Sequence, residues 1–99
     1  MDTITTFYVG KIDRHGRPLT GEVCDAVEAI FDAAFPDGWT ATTGTGRWSG
    51  QQEPTLIATV AHAADPAKVA RVAEDARFVA NQDAVLHTSV AATCGLATR

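Results

Sequence analysis

Apolar and polar residues follow two different periods along this chain, and the periods divide it into strands and helices. Residues 3–10 are rich in β-branched and aromatic side chains and end at a glycine, which predicts a strand. The polar run at 11–18 is typical of a loop. Thr20 then precedes a set of apolar residues spaced as one face of a helix, with Thr20 itself as the N-cap. The members of this set are Val23, Ala26, Val27, Ile30, Phe31 and Ala34.

A hairpin is predicted after this helix. Residues 35–38, Phe-Pro-Asp-Gly, should end the helix, because proline disfavours helical geometry in the residue before it and Asp-Gly pairs form turns. A second strand is expected at 39–48, with an irregular end, since Gly44 and Gly46 indicate a bulge or a close backbone approach. A third strand is expected at 55–62, and the short connection predicts antiparallel pairing.

The second helix has clear signals at its start. Asp65 can cap it, and Pro66 suits the first helical position. Its inner face is predicted to consist of Val69, Val72, Ala73, Ala76 and Val79. A last strand is expected at 84–91, and residues 91–99 are expected to form a tail.

The resulting order, β-α-β-β-α-β, predicts an α+β, ferredoxin-like fold in which two helices cover one face of a four-stranded antiparallel sheet. We expect residues 1–99 to form a single domain of this kind. Successive residues of a strand point to opposite faces of the sheet, and both sets include apolar side chains, for example Phe7 and Tyr8. The uncovered face is therefore expected to pack against another subunit.

Composition removes several classes of function. The chain has 8 basic and 12 acidic residues, a net charge of −4, and no basic cluster, which argues against a nucleic-acid partner. The segment MDTITTFYVG lacks a basic region and a long apolar run, so we expect neither a signal peptide nor a membrane span, and a cytoplasmic location. A domain of 99 residues buries only part of its surface on folding, and association with further chains would bury more. We therefore expect an oligomer.

Cysteine and histidine give little indication of chemistry. Cys24 and Cys94 lie far apart without a Cys-x-x-Cys spacing, which favours two reduced thiols over a disulfide or a zinc site. We therefore expect no metal and no cofactor. His15, His62 and His87 are scattered over a predicted loop and two strands, which favours hydrogen-bonded or exposed histidines over catalytic ones.

The stretch GTGRWSGQQEPT, residues 44–55, is the main candidate for a site. Glu53 stands at the predicted mouth of the third strand, where it is either a solvated carboxylate or part of a pocket. Trp48 either closes the sheet edge or stacks on a ligand. Tyr8 either packs in the core or offers its hydroxyl to the pocket. The candidate ligand-binding residues of this rim are Gly44, Thr45, Gly46 and Gln52.

Two families resemble this chain. The runs FYVGKIDRHGRPLT, FPDGWT, GTGRW, EPT and NQDAVL resemble a bacterial and phage domain of unknown function, over nearly the whole chain. Residues 45–96 are also similar to the phage S-adenosylmethionine lyases. The similar parts are Gly-x-aromatic at 46–48, Glu-x-Thr at 53–55, Ala-Arg at 76–77 and Gln-Asp-x-Val-Leu at 82–86.

The lyase resemblance implies a trimer with S-adenosylmethionine bound between subunits, where it is cleaved to methylthioadenosine and homoserine lactone. The family's central glutamate maps to Glu53, and its assisting tyrosine maps to Trp48, which has no hydroxyl. Either that role is lost, or Tyr8 replaces it, or the protein only binds its ligand. The alternative is therefore a phage or mobile-element protein that sequesters a nucleotide-like molecule. A purely structural hairpin is the third possibility.

Overall fold

The computed structural model describes residues 2–99 and confirms the predicted order of elements. The elements are β1 (Asp2–Gly10), α1 (Gly21–Ala34), β2 (Thr40–Trp48), β3 (Gln51–Ala63), α2 (Pro66–Val79) and β4 (Leu86–Ala92). The strands form one antiparallel sheet in the order β2-β3-β1-β4. This is the α+β, ferredoxin-like arrangement.

Both helices begin where the sequence predicts. The Thr20 hydroxyl accepts a hydrogen bond from the Val23 amide at 3.2 Å, and the Asp65 carboxylate accepts one from the Lys68 amide at 3.1 Å. Each cap satisfies an amide that the first helical turn leaves without a partner. These caps fix the points at which the chain leaves the sheet.

The core lies between the helices and one face of the sheet. Phe7 of β1 is wholly buried, and its ring lies 5.2 Å from that of Phe31 and 6.2 Å from that of Phe35. Trp39 packs on Phe31 at 5.1 Å between ring centroids and donates its indole N–H to Asp32 at 2.8 Å. The aromatic cluster thus holds α1 to the sheet, and the opposite face is left uncovered.

The β2–β3 hairpin is longer and more regular than predicted. Ser49 and Gly50 have φ angles of 49° and 79°, the left-handed values of a two-residue type I′ turn. Because this turn matches the twist of the strands, pairing is continuous up to Trp48 and Gln51. The predictions of an irregular end for β2 and of a start of β3 at 55 were wrong.

Pro54 is accommodated inside β3 without a lost bond to β2. The Lys11 amide donates to the Pro54 carbonyl at 2.8 Å, so that carbonyl points toward β1. In an antiparallel strand the nitrogen of a residue faces the same side as its carbonyl, and β1 ends at Gly10. The missing N–H therefore lies beyond the last paired residue of β1. Because β3 begins at Gln51, Glu53 lies within this strand rather than at its mouth.

Candidate functional site

A cleft of about 650 Å³ lies on the uncovered face, where β1 ends and the hairpin projects past it. We call it the open-face cleft. Directly paired residues of neighbouring strands point to the same face, so Tyr8, Leu86 and Ile57 share this side of the sheet. The cleft is lined chiefly by Tyr8, Gly10, Trp48, Gln51, Glu53, Gln82 and Leu86.

Glu53 is placed against the backbone of β1. Its Oε1 lies 2.7 Å from the point where a Cβ on Gly10 would stand, so the half-buried carboxylate occupies space that any other residue at position 10 would fill. Gly46 faces Glu53 across the hairpin. The lack of a side chain at Gly10 thus allows a carboxylate to lie low in the cleft.

Gln82 adds a second oxygen at the same place. Its side chain is 7% exposed, and its Nε2 lies within 3.2 Å of the carbonyl oxygens of Gly10, Ile12 and Ala80. These carbonyls occupy the donor end of the amide and turn its Oε1 to 2.9 Å from the same vacant Gly10 Cβ point. Two acceptor oxygens, from Glu53 and Gln82, therefore lie close together over Gly10, and a ligand group that contacted both would donate hydrogen bonds or carry positive charge.

Trp48 covers the hairpin side of the cleft. Its side chain is 46% exposed, and its Nε1 lies 3.0 Å from the point where a Cβ on Gly46 would stand. In the same way, the Ile57 side chain comes within 2.9 Å of the Cβ point of Gly44. The two glycines thus make room for neighbouring side chains, and the half-exposed Trp48 is a candidate for stacking on a ligand.

The loop at 11–18 forms the opposite wall. The Asp13 carboxylate accepts hydrogen bonds from the amides of His15 at 2.9 Å and Arg17 at 3.0 Å. The bond from the Arg17 amide, helped by the one from the His15 amide and by the charges of Arg17 and His15, lowers the pKa of Asp13 below its ordinary value of 3.8. Asp13 therefore stays ionised at neutral pH and keeps the loop folded against the cleft.

The loop before β4 is joined to this wall. The Arg14 amide donates to the Asn81 carbonyl at 2.9 Å, and the Arg14 guanidinium lies 3.4 Å from the Asp83 carboxylate. Asp13 and Glu53 add two more carboxylates to the lining, so acidic groups outnumber the one arginine there. The cleft is suited to a ligand with cationic groups.

The structure brings some of the candidate residues together and separates others. Tyr8, Trp48 and Glu53 share the open-face cleft. Thr45 and Gln52 alternate with Gly46 and Glu53 along their strands and so point to the other face of the sheet. The Gln52 amide oxygen, turned toward Arg47, lies 2.7 Å from its Nη2.

Gly10 and Gln82 were not among the residues predicted for the site. The sequence did display both, as the glycine that ends the first strand and as part of the NQD run. No local pattern connects them, however, since they are 72 residues apart along the chain. Only the pairing of strands brings them beside Glu53.

The histidines lie outside the open-face cleft. His62 of β3 and His87 of β4 are separated by β1, as expected for this fold. Thr3 pairs with His62 and Phe7 pairs with His87, so both side chains face the helical side of the sheet. His15 is exposed in the loop between β1 and α1.

Two kinds of feature are absent from residues 2–99. None of the helices in that range is long and apolar enough to cross a membrane. Nor does that range contain three or more His, Cys, Asp or Glu side chains placed to hold a metal ion.

Comparisons with known proteins support the fold. No protein-family model matches the chain, and no curated protein matches it in sequence. Among solved structures, a phage SAM lyase in complex with S-methyl-5′-thioadenosine is 16% identical and superposes with a TM-score of 0.61, over 90% of this chain and 80% of its own. At that identity the likeness establishes a shared fold, in agreement with the sequence resemblance.

Two further structures share the arrangement. The C-terminal domain of the MgtC protein from Mycobacterium tuberculosis is 16% identical, with a TM-score of 0.53 over 90% of this chain and 86% of its own. The de novo designed protein Foldit4 is 8% identical, with a TM-score of 0.54 over 94% of this chain and all of its own. Because unrelated proteins share this fold, function has to be argued from the site.

Proposed function

We propose that this protein is an S-adenosylmethionine lyase whose site is the open-face cleft. The observation that carries the proposal is the Glu53 carboxylate, which lies beside Gln82, Tyr8 and Trp48 in a cleft of about 650 Å³. The same fold occurs in a phage SAM lyase crystallised with S-methyl-5′-thioadenosine. The volume lies within the range of about 300–1,000 Å³ that is usual for small-molecule sites.

The reaction needs positioning more than acid or base chemistry. The carboxylate of the substrate attacks the carbon next to its sulfonium, and the carbon–sulfur bond breaks with its electron pair left on sulfur. The products are methylthioadenosine and homoserine lactone, and no proton has to be transferred. The protein therefore has to hold a folded conformer of the substrate and manage its charges.

Each residue has a role in this proposal. Glu53 and the Gln82 Oε1 would hold the substrate ammonium, which leaves the substrate carboxylate free to attack. The Trp48 ring would face the adenine or the sulfonium, and the Tyr8 hydroxyl would replace the one that Trp48 lacks. The acidic lining would attract a cationic substrate.

Assembly belongs to the proposal as well. Trp48, Leu86 and Val90 are exposed apolar side chains on the uncovered face, and the first two line the cleft. A second copy of the chain that packed there, in a trimer by preference, would cover them and close the cleft. The ligand would then be bound between subunits.

The test is to incubate the purified protein with S-adenosylmethionine and to measure methylthioadenosine and homoserine lactone by chromatography. A protein-free sample at the same pH and temperature is the control, because S-adenosylmethionine slowly decomposes to the same products. We expect both products in equal amounts and well above the control. Formation at the protein-free rate would refute the lyase.

A non-catalytic binding protein is the second candidate, and the indole at position 48 favours it, because it supplies no hydroxyl. In that case the protein would retain S-adenosylmethionine or a nucleotide-like relative in equilibrium dialysis and return it unchanged. Retention without product would therefore identify a sequestering protein.

Gly10→Ala tests the cleft without removing any of its polar groups. The new Cβ would stand 2.7 Å from the Glu53 Oε1 and 2.9 Å from the Gln82 Oε1, so both oxygens have to move. A misplacement of about 1 Å in a positioning site can cost about 10²-fold in rate, and we expect a loss of at least about tenfold in turnover. Gly21→Ala is the matched control, since nothing lies within 4 Å of its Cβ point. Full activity in Gly10→Ala would mean that the position of Glu53 is unimportant.

A further inference from the structure

A second polar cluster lies on the helical face of the sheet and takes no part in the open-face cleft. Its centre is Thr5 of β1, whose side chain is wholly buried. The Thr5 Oγ1 lies 2.7 Å from the His62 Nε2 and 2.8 Å from the Ser89 Oγ. Three strands thus contribute one polar side chain each to a continuous chain of hydrogen bonds.

The direction of these hydrogen bonds follows from the other ring nitrogen of His62. Its Nδ1 lies 2.7 Å from the Ala63 carbonyl oxygen. A carbonyl can only accept, so in the neutral ring Nδ1 carries the proton and Nε2 is an acceptor. The Thr5 hydroxyl therefore donates to His62, and the Thr5 oxygen is left to accept from Ser89. The proton of Ser89 is directed through Thr5 to a base.

Ser89 opens onto a cavity. The cavity has a volume of about 460 Å³ and lies between β4 and the start of α2, with His62, His87, Ser89 and Val69 among its lining residues. Ser89 is exposed, and His87 stands two positions before it on the same face of β4. Ser89, at one end of the hydrogen-bond chain, is thus accessible to a small molecule, whereas Thr5 in the middle is buried away from water.

We propose that Ser89 is a nucleophile toward activated acyl esters, with Thr5 and His62 as the positioning residues that carry its proton. A hydroxyl held by a base, which is itself oriented by a third group, is the usual arrangement of an activated serine. Here one threonine is inserted between the hydroxyl and the base. This activity is independent of the proposed lyase and uses the opposite face of the sheet.

The step is balanced as follows. The Ser89 Oγ bonds to the acyl carbon, and the bond from that carbon to the leaving oxygen breaks with its electron pair on the oxygen. The Ser89 proton moves to the Thr5 oxygen while the Thr5 proton moves to the His62 Nε2, and the imidazolium is later neutralised by solvent. Water then cleaves the acyl-serine to restore Ser89 and release a carboxylic acid.

The chain provides its own reference for the experiment, since Ser49 and Ser89 are its only serines. The full-length protein is incubated briefly with 4-nitrophenyl acetate, and the acetylation of each serine is measured by peptide mass spectrometry. A positioned base contributes about 10²–10⁴-fold, so we expect Ser89 to be acetylated at least about tenfold faster than Ser49 in its exposed turn. Equal labelling of the two serines, or labelling of lysines alone, would overturn the proposal.

Two variants at position 5 test the relay. Thr5→Val keeps the shape of the side chain and removes its hydroxyl. We expect the acetylation rate of Ser89 to fall to that of Ser49. Thr5→Ser restores the hydroxyl and should restore the rate, which a merely structural role would not require. Unchanged Ser89 labelling in a folded Thr5→Val protein would overturn the relay. Should that variant fail to fold, the proposal is decided by the ratio of the acetylation rates of Ser89 and Ser49 in the unmodified protein.

Discussion

Glu53→Gln is expected to reduce methylthioadenosine formation by at least about 10²-fold, as is typical when a preorganised electrostatic contact is lost from an active site. The change keeps the size of the side chain in its place over Gly10 but removes the negative charge. The substrate ammonium would then lose its charged partner. Adenine stacking on Trp48 would persist, so we expect S-adenosylmethionine still to bind, more weakly.

The measurement pairs turnover with binding. Product is followed by chromatography, and binding by titration calorimetry, for the parent and the variant at one pH. Glu22→Gln is the matched control, because Glu22 is exposed in the first turn of α1 and outside the cleft. It should leave both quantities unchanged. A Glu53→Gln protein with parental turnover would place the reaction elsewhere.

Phe7→Ala is expected to lower the free energy of unfolding by about 3–5 kcal/mol, the usual cost of deleting a buried phenylalanine. The Phe7 ring is 0% exposed and lies between the rings of Phe31, Phe35 and His87. A domain of this size is stable by about 5–15 kcal/mol, so the variant should be near the limit of folding. Urea denaturation followed by circular dichroism gives the value.

Phe78→Ala is the matched control for this prediction. Phe78 lies on α2 with 76% of its side chain exposed, so the same deletion should change stability by no more than about 0.5 kcal/mol. A large difference between the two variants would confirm that Phe7 lies in the core and Phe78 outside it. Equal losses would contradict the assignment of Phe7 to the centre of the core.

The sequence was sufficient to predict the order and type of the elements, because their signals are local. Thr20 and Asp65 cap the helices as expected, and the proline at position 36 follows the end of α1. The hairpin was the exception. Residues 49–52, Ser-Gly-Gln-Gln, carry no apolar side chain, so the whole run was predicted to be part of the connection. The left-handed φ angles of Ser49 and Gly50, which shorten the turn to two residues, are not visible in composition.

The structure brings only some of the candidate site residues together. Tyr8, Trp48 and Glu53 were identified from residue type and from the lyase resemblance, and the structure places them in one cleft. Neighbouring residues of a strand point to opposite faces of the sheet, so Gln52 faces away from the cleft that Glu53 lines. Thr45, which pairs with Pro54, faces away from the cleft for the same reason.

By itself, then, the sequence determined the helices, the strands and the ferredoxin-like order, since capping and hydrophobic period act over a few residues. Tertiary structure alone decided that Gln82 meets Glu53 over Gly10, and that His62 and Ser89 meet at Thr5. The physical reason is strand pairing. Contacts between residues distant along the chain depend on register, and a shift of one residue in a strand would turn the side chains of that strand to the other face.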